Sequence, residues 1–325
     1  MNQIQEKQGR IIEVRKNSFI IGCQEEEIFA RLKGGFYEET PDKLPVVGDY
    51  VTFLHNPAGD SVIRSVCERK SYLQRPDQAR TRVMQPMAAN ADWCFIVTSL
   101  NEDYSYNRIA RYAGTALEGG VMPVVILTKA DLCEDAERYV REAQGISDKV
   151  RVHAVSALTG RGLKELELYF APGSTICLLG SSGAGKSTLI NALAGEEIMK
   201  TGAVRKSDAK GRHTTTHRQL IRLANGVCII DTPGMREIGM AKAESGIDDT
   251  FSDILELESQ CRFGNCRHET EPGCAVKAAI ADGALPKDRW LLYRNLKEEN
   301  RNNYAKMKDI SKRIKAMKKE RNRME

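Results

Sequence analysis

The longest apolar run in this chain, Val121 to Leu127, is interrupted by Pro123 and falls far short of the roughly 20 residues that cross a bilayer. The N-terminal stretch Met-Asn-Gln-Ile-Gln-Glu-Lys lacks the charged-then-apolar layout of a secretion signal. No internal repeat organises the chain. These absences argue against a membrane partner and against export. Nine cysteines without a secretion signal then point to a reducing, cytoplasmic setting, with thiols free or on a metal. What remains, 325 residues at 41% hydrophobic and 29% charged, is ordinary for a soluble protein of two or three domains.

Charge is unevenly spread. Residues 1–70 hold ten Lys/Arg against eleven Asp/Glu, whereas Lys287 to Glu325 hold fourteen against six, a surplus of 14 − 6 = 8. A basic end on a near-neutral body is a common footprint for binding a polyanion, RNA first among them. A solvated charged helix has the same composition.

Five short runs, Gln8–Val14, Ser18–Cys23, Glu27–Leu32, Gly48–Leu54 and Asp60–Val66, are parted by Gly, Pro, Asn and charged turns. They read as strands of a small barrel, OB-fold or SH3-like. A polar, basic connector with Arg75, Arg80 and Arg82 follows. Then strand-length apolar runs alternate with helical segments: Trp93–Leu100, Pro123–Leu127, Val150–Val155, Ser174–Leu179 and Gly226–Ile230. That texture predicts a mostly parallel sheet covered on both faces. From about residue 245 the pattern turns helical, then cysteine-rich, and Trp290 to the end is polar and free of Gly and Pro.

Chemical motifs follow these runs. Gly180-Ser181-Ser182-Gly183-Ala184-Gly185-Lys186-Ser187 succeeds a strand and opens into Thr188 and a helix. The strand–loop–helix context is what a phosphate loop requires: glycines let N–H groups curl around phosphate, and the helix dipole favours its charge. Lys186 is expected on the terminal phosphates and Ser187 on Mg²⁺. Asp231-Thr-Pro-Gly234 also ends a strand, with Asp231 expected on Mg²⁺ and the Gly234 N–H at the γ-phosphate. Between them lies the polar loop Arg205–His217, where Thr214 or Thr215 is expected to complete the Mg²⁺ shell.

Thr128-Lys129-Ala130-Asp131 ends another strand. A carboxylate at Asp131 can accept from the N1–H and N2–H₂ edge of guanine, whereas adenine presents an acceptor there, so GTP is favoured over ATP. The usual first residue of such a segment is Asn, and Thr128 departs from it. Ser156-Ala157 would add N–H contacts to the guanine oxygen. A GTPase normally runs phosphate loop, Asp-x-x-Gly, Asn-Lys-x-Asp, Ser-Ala; here the base-reading pair precedes the phosphate loop. All parts are present in a circularly permuted order.

Cys261-x₄-Cys266-x-His268-x₅-Cys274 gathers three thiols and an imidazole, the donor set of a closed, structural Zn²⁺ site. The other six cysteines are scattered, and four of them, within or beside apolar runs, read as small core residues.

With Gly211-Arg-His-Thr-Thr-Thr216, Asp231-Thr-Pro-Gly-Met-Arg236 and the cysteine spacing together, the chain resembles the RsgA family of ribosome-small-subunit-dependent, circularly permuted GTPases over nearly its full length. The resemblance implies a multi-domain protein. Its parts are an N-terminal all-β OB-fold barrel (1–70), a linker (71–90), a central α/β P-loop GTPase domain (91–245), and a C-terminal α-helical zinc-binding module with a basic tail (246–325). It implies GTP hydrolysis stimulated by the small ribosomal subunit late in its maturation, with barrel and zinc module on rRNA. Nothing in the sequence demands a dimer, so a monomer is expected.

Met235 stands where Ras-like enzymes keep a water-positioning glutamine. A thioether cannot orient water, so slow intrinsic turnover is expected, with His213 the nearest candidate once the ribosome docks; a backbone contact in the loop is its alternative role. Three other readings compete. A nucleotide-gated RNA-binding assembly protein with incidental hydrolysis fits the flanking modules. A P-loop kinase would not need the base-reading pair, and a zinc hydrolase needs an open metal position.

Overall fold

The computed structural model describes residues 5–16, 18–33, 44–76, 84–101, 103–199, 219–231 and 243–324, with side chains of the last helix described to 310 and at 312, 313 and 316. His213, Thr214, Thr215 and Gly234 lie outside the described residues.

Strands β1 (Gln5–Val14), β2 (Phe19–Cys23), β3 (Glu26–Leu32), β4 (Tyr50–His55) and β5 (Ser61–Val66) close on themselves in the order β1-β2-β3-β5-β4-β1. The β3–β5 pair is parallel and the rest antiparallel. This is the five-stranded barrel that the strand count predicted, and its circular order is of the OB type. Alternate residues point inward: Ile11, Ile21, Ile28, Val51, Phe53 and Ile63 fill it.

The connector differs from expectation. Residues 71–90, predicted as a linker, contain β6 (Tyr72–Pro76) and β7 (Met84–Ala89), an antiparallel pair. Leu73, Met87 and Ala88 are fully buried against the main core. The polar residues Gln74, Arg75 and Gln85 had hidden this strand pair.

The central layer is a sheet of order β10-β9-β8-β11-β13-β12, built from β8 (Trp93–Ser99), β9 (Met122–Thr128), β10 (Arg151–Ala154), β11 (Thr175–Leu179), β12 (Gln219–Arg222) and β13 (Cys228–Asp231). All neighbours are parallel except β12 on β13. Both faces are covered, which is why β8, β9, β11 and β13 read as largely apolar runs. Along β8, Cys94 and Ile96 face one core and Phe95 and Val97 the other. The first core lies under α1 (Tyr106–Glu118) and α2 (Ala136–Gln144); the second lies under α3 (Leu163–Leu166) and α4 (Lys186–Ala194). Barrel and sheet share one hydrogen-bonded order, joined where Glu13 of β1 pairs with Gln219 of β12.

Helices α5 (Glu244–Thr250), α6 (Ser252–Ser259), α7 (Ala275–Ala281) and α8 (Lys287–Met324) pack on the α1 side. Gly246 lets α5 lie directly on α1: a Cβ there would stand 2.0 Å from the Gly114 carbonyl oxygen. Arg289 of α8 fastens the module to the body, donating to Asp253, to the Gly145 and Ile146 carbonyls at 3.0 Å each, and to the Thr250 carbonyl.

Candidate functional site

Because β8, β9, β10, β11 and β13 are parallel, their carboxyl ends open on one edge, where ligands of such sheets bind. At the end of β11 the chain turns through Gly180, Gly183 and Gly185, with φ of +150°, +84° and +90°, values L side chains rarely adopt. A Cβ on Gly180 would meet the Val97 carbonyl oxygen at 2.2 Å, so the loop hugs β8 only as glycine. Ser181 and Ala184 are buried, Ser182, Gly183 and Thr188 exposed, and Ser187 half-buried in the first turn of α4.

Lys186 Nζ folds back over the loop, donating to the Gly180 and Ser181 carbonyls at 2.9 and 2.7 Å. Burial pulls its pKa down, with Asp231 and Asp103 opposing. Asp231, at the end of β13, is itself buried, and burial raises its pKa against the pull of Lys186. Its Oδ1 is buried with no hydrogen-bond partner among the described residues. An orphaned carboxylate oxygen in a shielded pocket is a poor stabilising feature and a good cation ligand. The donor types here, the Asp231 carboxylate and the Ser187 hydroxyl in the first turn of α4, fit Mg²⁺.

The base-reading segments meet across β9 and β10. Lys129 is held in the left-handed region at φ +58°, and the Ala130 N–H donates to the Val155 carbonyl at 3.1 Å. Asp131 is exposed, in a 3₁₀ turn over Ala130–Leu132. Ser156 is buried and closes its own turn, accepting the Thr159 N–H, while Ala157 is half-buried. Thr128 explains its own departure from Asn. Its hydroxyl lies 2.6 Å from the Ala184 carbonyl and 3.3 Å from the Thr98 carbonyl, so it stitches the base segment to the phosphate loop with a donor alone.

Asp103 was missed from the sequence. It lies four residues beyond Ser99 and accepts from Ser181 Oγ in the phosphate loop. Its position just past the carboxyl end of a parallel strand was the available signal.

The second centre lies in the loop between α6 and α7. Cys261, Cys266, His268 and Cys274 bring their ligand atoms within 4.8 Å of one another. Cys261 Sγ is 3.9 Å from Cys274 Sγ, and His268 Nδ1 is 3.6 and 3.4 Å from those sulfurs. Ligand sulfurs of a tetrahedral Zn²⁺ lie about 3.8 Å apart, given Zn–S bonds of about 2.3 Å, so the cluster has the right size. His268 turns its other nitrogen toward Glu258 Oε1 at 3.4 Å, and Glu258 in turn accepts from the Tyr293 hydroxyl at 3.1 Å. A carboxylate behind a ligand histidine fixes its tautomer and orientation. Glu271 ties the intervening loop by accepting the N–H groups of Arg267, Glu269 and Thr270. With four protein donors, the set leaves no open position for water.

Comparison with known proteins bears on these two centres. Residues 66–241 match the family model described as RsgA GTPase. The chain is 44% identical over 292 residues to Small ribosomal subunit biogenesis GTPase RsgA 1 of Listeria monocytogenes, covering 90% of this chain and 83% of that protein. It is 43% identical over 258 residues to Small ribosomal subunit biogenesis GTPase RsgA of Methanosarcina acetivorans, covering 79% and 70%. Among solved structures, YjeQ from Thermotoga maritima superposes with a TM-score of 0.65 at 27% identity, over 90% of this chain and 97% of that one. YloQ, described as a circularly permuted GTPase, superposes at 0.62 with 25% identity, over 95% and 96%. The sheet order around Gly180–Ser187, the base segments preceding that loop, and the match across 66–241 lead to one statement: the chain belongs to the RsgA GTPase family.

Proposed function

We propose that this protein is a cytoplasmic, monomeric GTPase acting in late maturation of the small ribosomal subunit. In this reading Gly180–Thr188 cradle the phosphates of GTP or GDP, with Lys186 neutralising charge on the terminal phosphates during transfer to water. Ser187, Asp231 and one of Thr214 and Thr215 hold Mg²⁺, which supplies electrostatic stabilisation of the phosphoryl oxygens when bound. Asp131 reads the guanine edge, Thr128 and Lys129 shape that pocket, and Ser156, Ala157 and Gly234 contribute N–H groups. Cys261, Cys266, His268 and Cys274 hold one structural Zn²⁺. The barrel (1–70) and the zinc module with its basic tail (246–325) bind rRNA, flanking the GTPase unit (91–245).

The observation carrying this reading is the Thr128–Ala184 bond, which joins the base segment to the phosphate loop, together with the orphaned Asp231 oxygen beside Lys186. Neither feature serves a kinase or a passive fold better. Met235 after Gly234 leaves the attacking water without a side-chain guide in the free protein, and His213 is proposed to supply it on the subunit. The same Met235 favours, as second reading, a nucleotide-gated RNA-binding assembly protein whose hydrolysis is incidental. Cosedimentation with small subunits in the GTP-analogue and GDP states is the test. Tight, analogue-dependent binding is expected, and equal, weak binding in both states would remove the subunit as partner.

A further inference from the structure

Beside the nucleotide motifs lies a half-buried ion pair that none of them contains. Ser181, the residue after Gly180, donates its hydroxyl to Asp103 Oδ2. The other oxygen, Oδ1, lies 2.8 Å from Arg108 Nη2, with the two side chains only 27% and 26% exposed. Arg108 stands in the first turn of α1, whose cap Ser105 accepts its N–H, and its guanidinium also donates to the Asp103 carbonyl. Thr98 of β8 donates to that same carbonyl at 3.0 Å. The loop residue, the carboxylate and the arginine thus form a chain from the phosphate loop to α1.

A carboxylate in this place has two opposite consequences. As an acceptor it fixes Ser181, and with it the backbone N–H groups of the loop, in a set arrangement before nucleotide arrives. As a charge it repels phosphate. The Asp103 carboxylate stands at the loop itself, where its Oδ2 accepts the Ser181 hydroxyl. Arg108 is the cation placed on the second Asp103 oxygen, Oδ1.

We propose that Asp103 and Arg108 form a charge-balanced clamp on the phosphate loop, in which Asp103 positions Ser181 and Arg108 cancels the Asp103 charge against the nucleotide phosphates. Both are positioning residues. The clamp rests on the reading of Gly180–Ser187 as a phosphate loop, and its consequence is specific: removing Arg108 is worse than removing the charges of both residues together.

The experiment measures Kd of full-length protein for fluorescent GTP and GDP analogues with Mg²⁺, at low and high salt. Arg108→Ala is expected to weaken both about tenfold at low salt, as expected for one unpaired charge near phosphate. That deficit should shrink at about 0.5 M salt, where exposed fields are screened. Adding Asp103→Asn, which keeps an acceptor for Ser181, should recover most of the loss. A purely structural role for Arg108 predicts a deficit that neither salt nor Asp103→Asn repairs, and that result, or wild-type binding by Arg108→Ala, overturns the clamp. If Arg108→Ala does not fold, Arg108→Gln makes the same charge change with the stem kept, and the same outcomes are read from it. Absence of guanine-nucleotide binding by the wild-type protein would instead overturn the phosphate-loop reading itself.

Discussion

A threonine, an aspartate and their carbonyl neighbours show how single residues set this site. Thr128 joins the base segment to β8 and to the phosphate loop through one hydroxyl. Thr128→Val keeps the shape and deletes the donor, leaving the Ala184 carbonyl unanswered. One such bond contributes about 1 kcal/mol net, so guanine-nucleotide Kd should rise severalfold in isothermal titration; an unchanged Kd would show that the stitch carries no binding energy. Asp231 carries the opposite lesson. Burial raises its pKa, so the protein spends stability to keep a carboxylate there. Asp231→Asn is therefore expected to melt no lower than wild type when unliganded. It should lose the Mg²⁺·GTP thermal shift, worth about 2.7 kcal/mol in wild type at one hundred times Kd. A wild-type shift in the variant would contradict the Mg²⁺ role. Motif residues were legible because their chemistry demands a residue type at a fixed spacing. Asp103 was not, because its role depends on which loop folds beside Ser181, a fact of tertiary contact.

At the scale of elements, the sequence located all five barrel strands within three residues at each end, since turn residues and two-residue alternation mark them locally. The parallel strands β8, β9, β11 and β13 were equally plain, because burial on both faces leaves largely apolar runs. The β6–β7 pair was missed. Its inward residues Leu73 and Met87 are interleaved with Arg75 and Gln85, and it is buried by α1 rather than by anything in its own sequence. The loop of the cysteine cluster adds a prediction in pH. Four N–H contacts, that of Arg267 foremost, pull the Glu271 carboxyl from 4.5 to about 2. A lowered folded pKa contributes stability that is present above the unfolded value and lost as pH falls through the folded one. Wild type should therefore melt above Glu271→Gln at pH 7, and the gap should narrow as pH drops from 4.5 toward 2. A gap independent of pH would mean that geometry, not charge, holds the loop.

Over the whole molecule, barrel and GTPase sheet are not separate beads. Arg10 of β1 reaches across to Thr175 Oγ1 at the start of β11, 3.0 Å away, and to the Asn90 carbonyl. Beside it Asp49, fully buried, accepts from Nε and Nη2 of Arg69 at 2.7 Å each, and Arg69 lies 4.0 Å over the Tyr72 ring of β6. Breaking such a pair strands a buried charge at a cost of about 3 kcal/mol or more. Asp49→Ala should lower the urea midpoint accordingly, and a change within error would mean that water reaches Arg69. The sequence pattern separated barrel, sheet and helical module by texture, yet was silent on this joint, because long-range ion pairs leave no periodicity. The joint matters for function: β12, which follows the Arg205–His217 loop, is hydrogen-bonded to Asp231's strand on one side and to the barrel on the other.

GTP turnover with and without purified small ribosomal subunits, with ATP as control nucleotide, decides whether this site is a subunit-stimulated GTPase. Slow intrinsic hydrolysis, a large stimulation by the subunit, and no stimulated turnover of ATP are expected. Slow turnover that the subunit leaves unchanged, or equal turnover of ATP, would contradict that role.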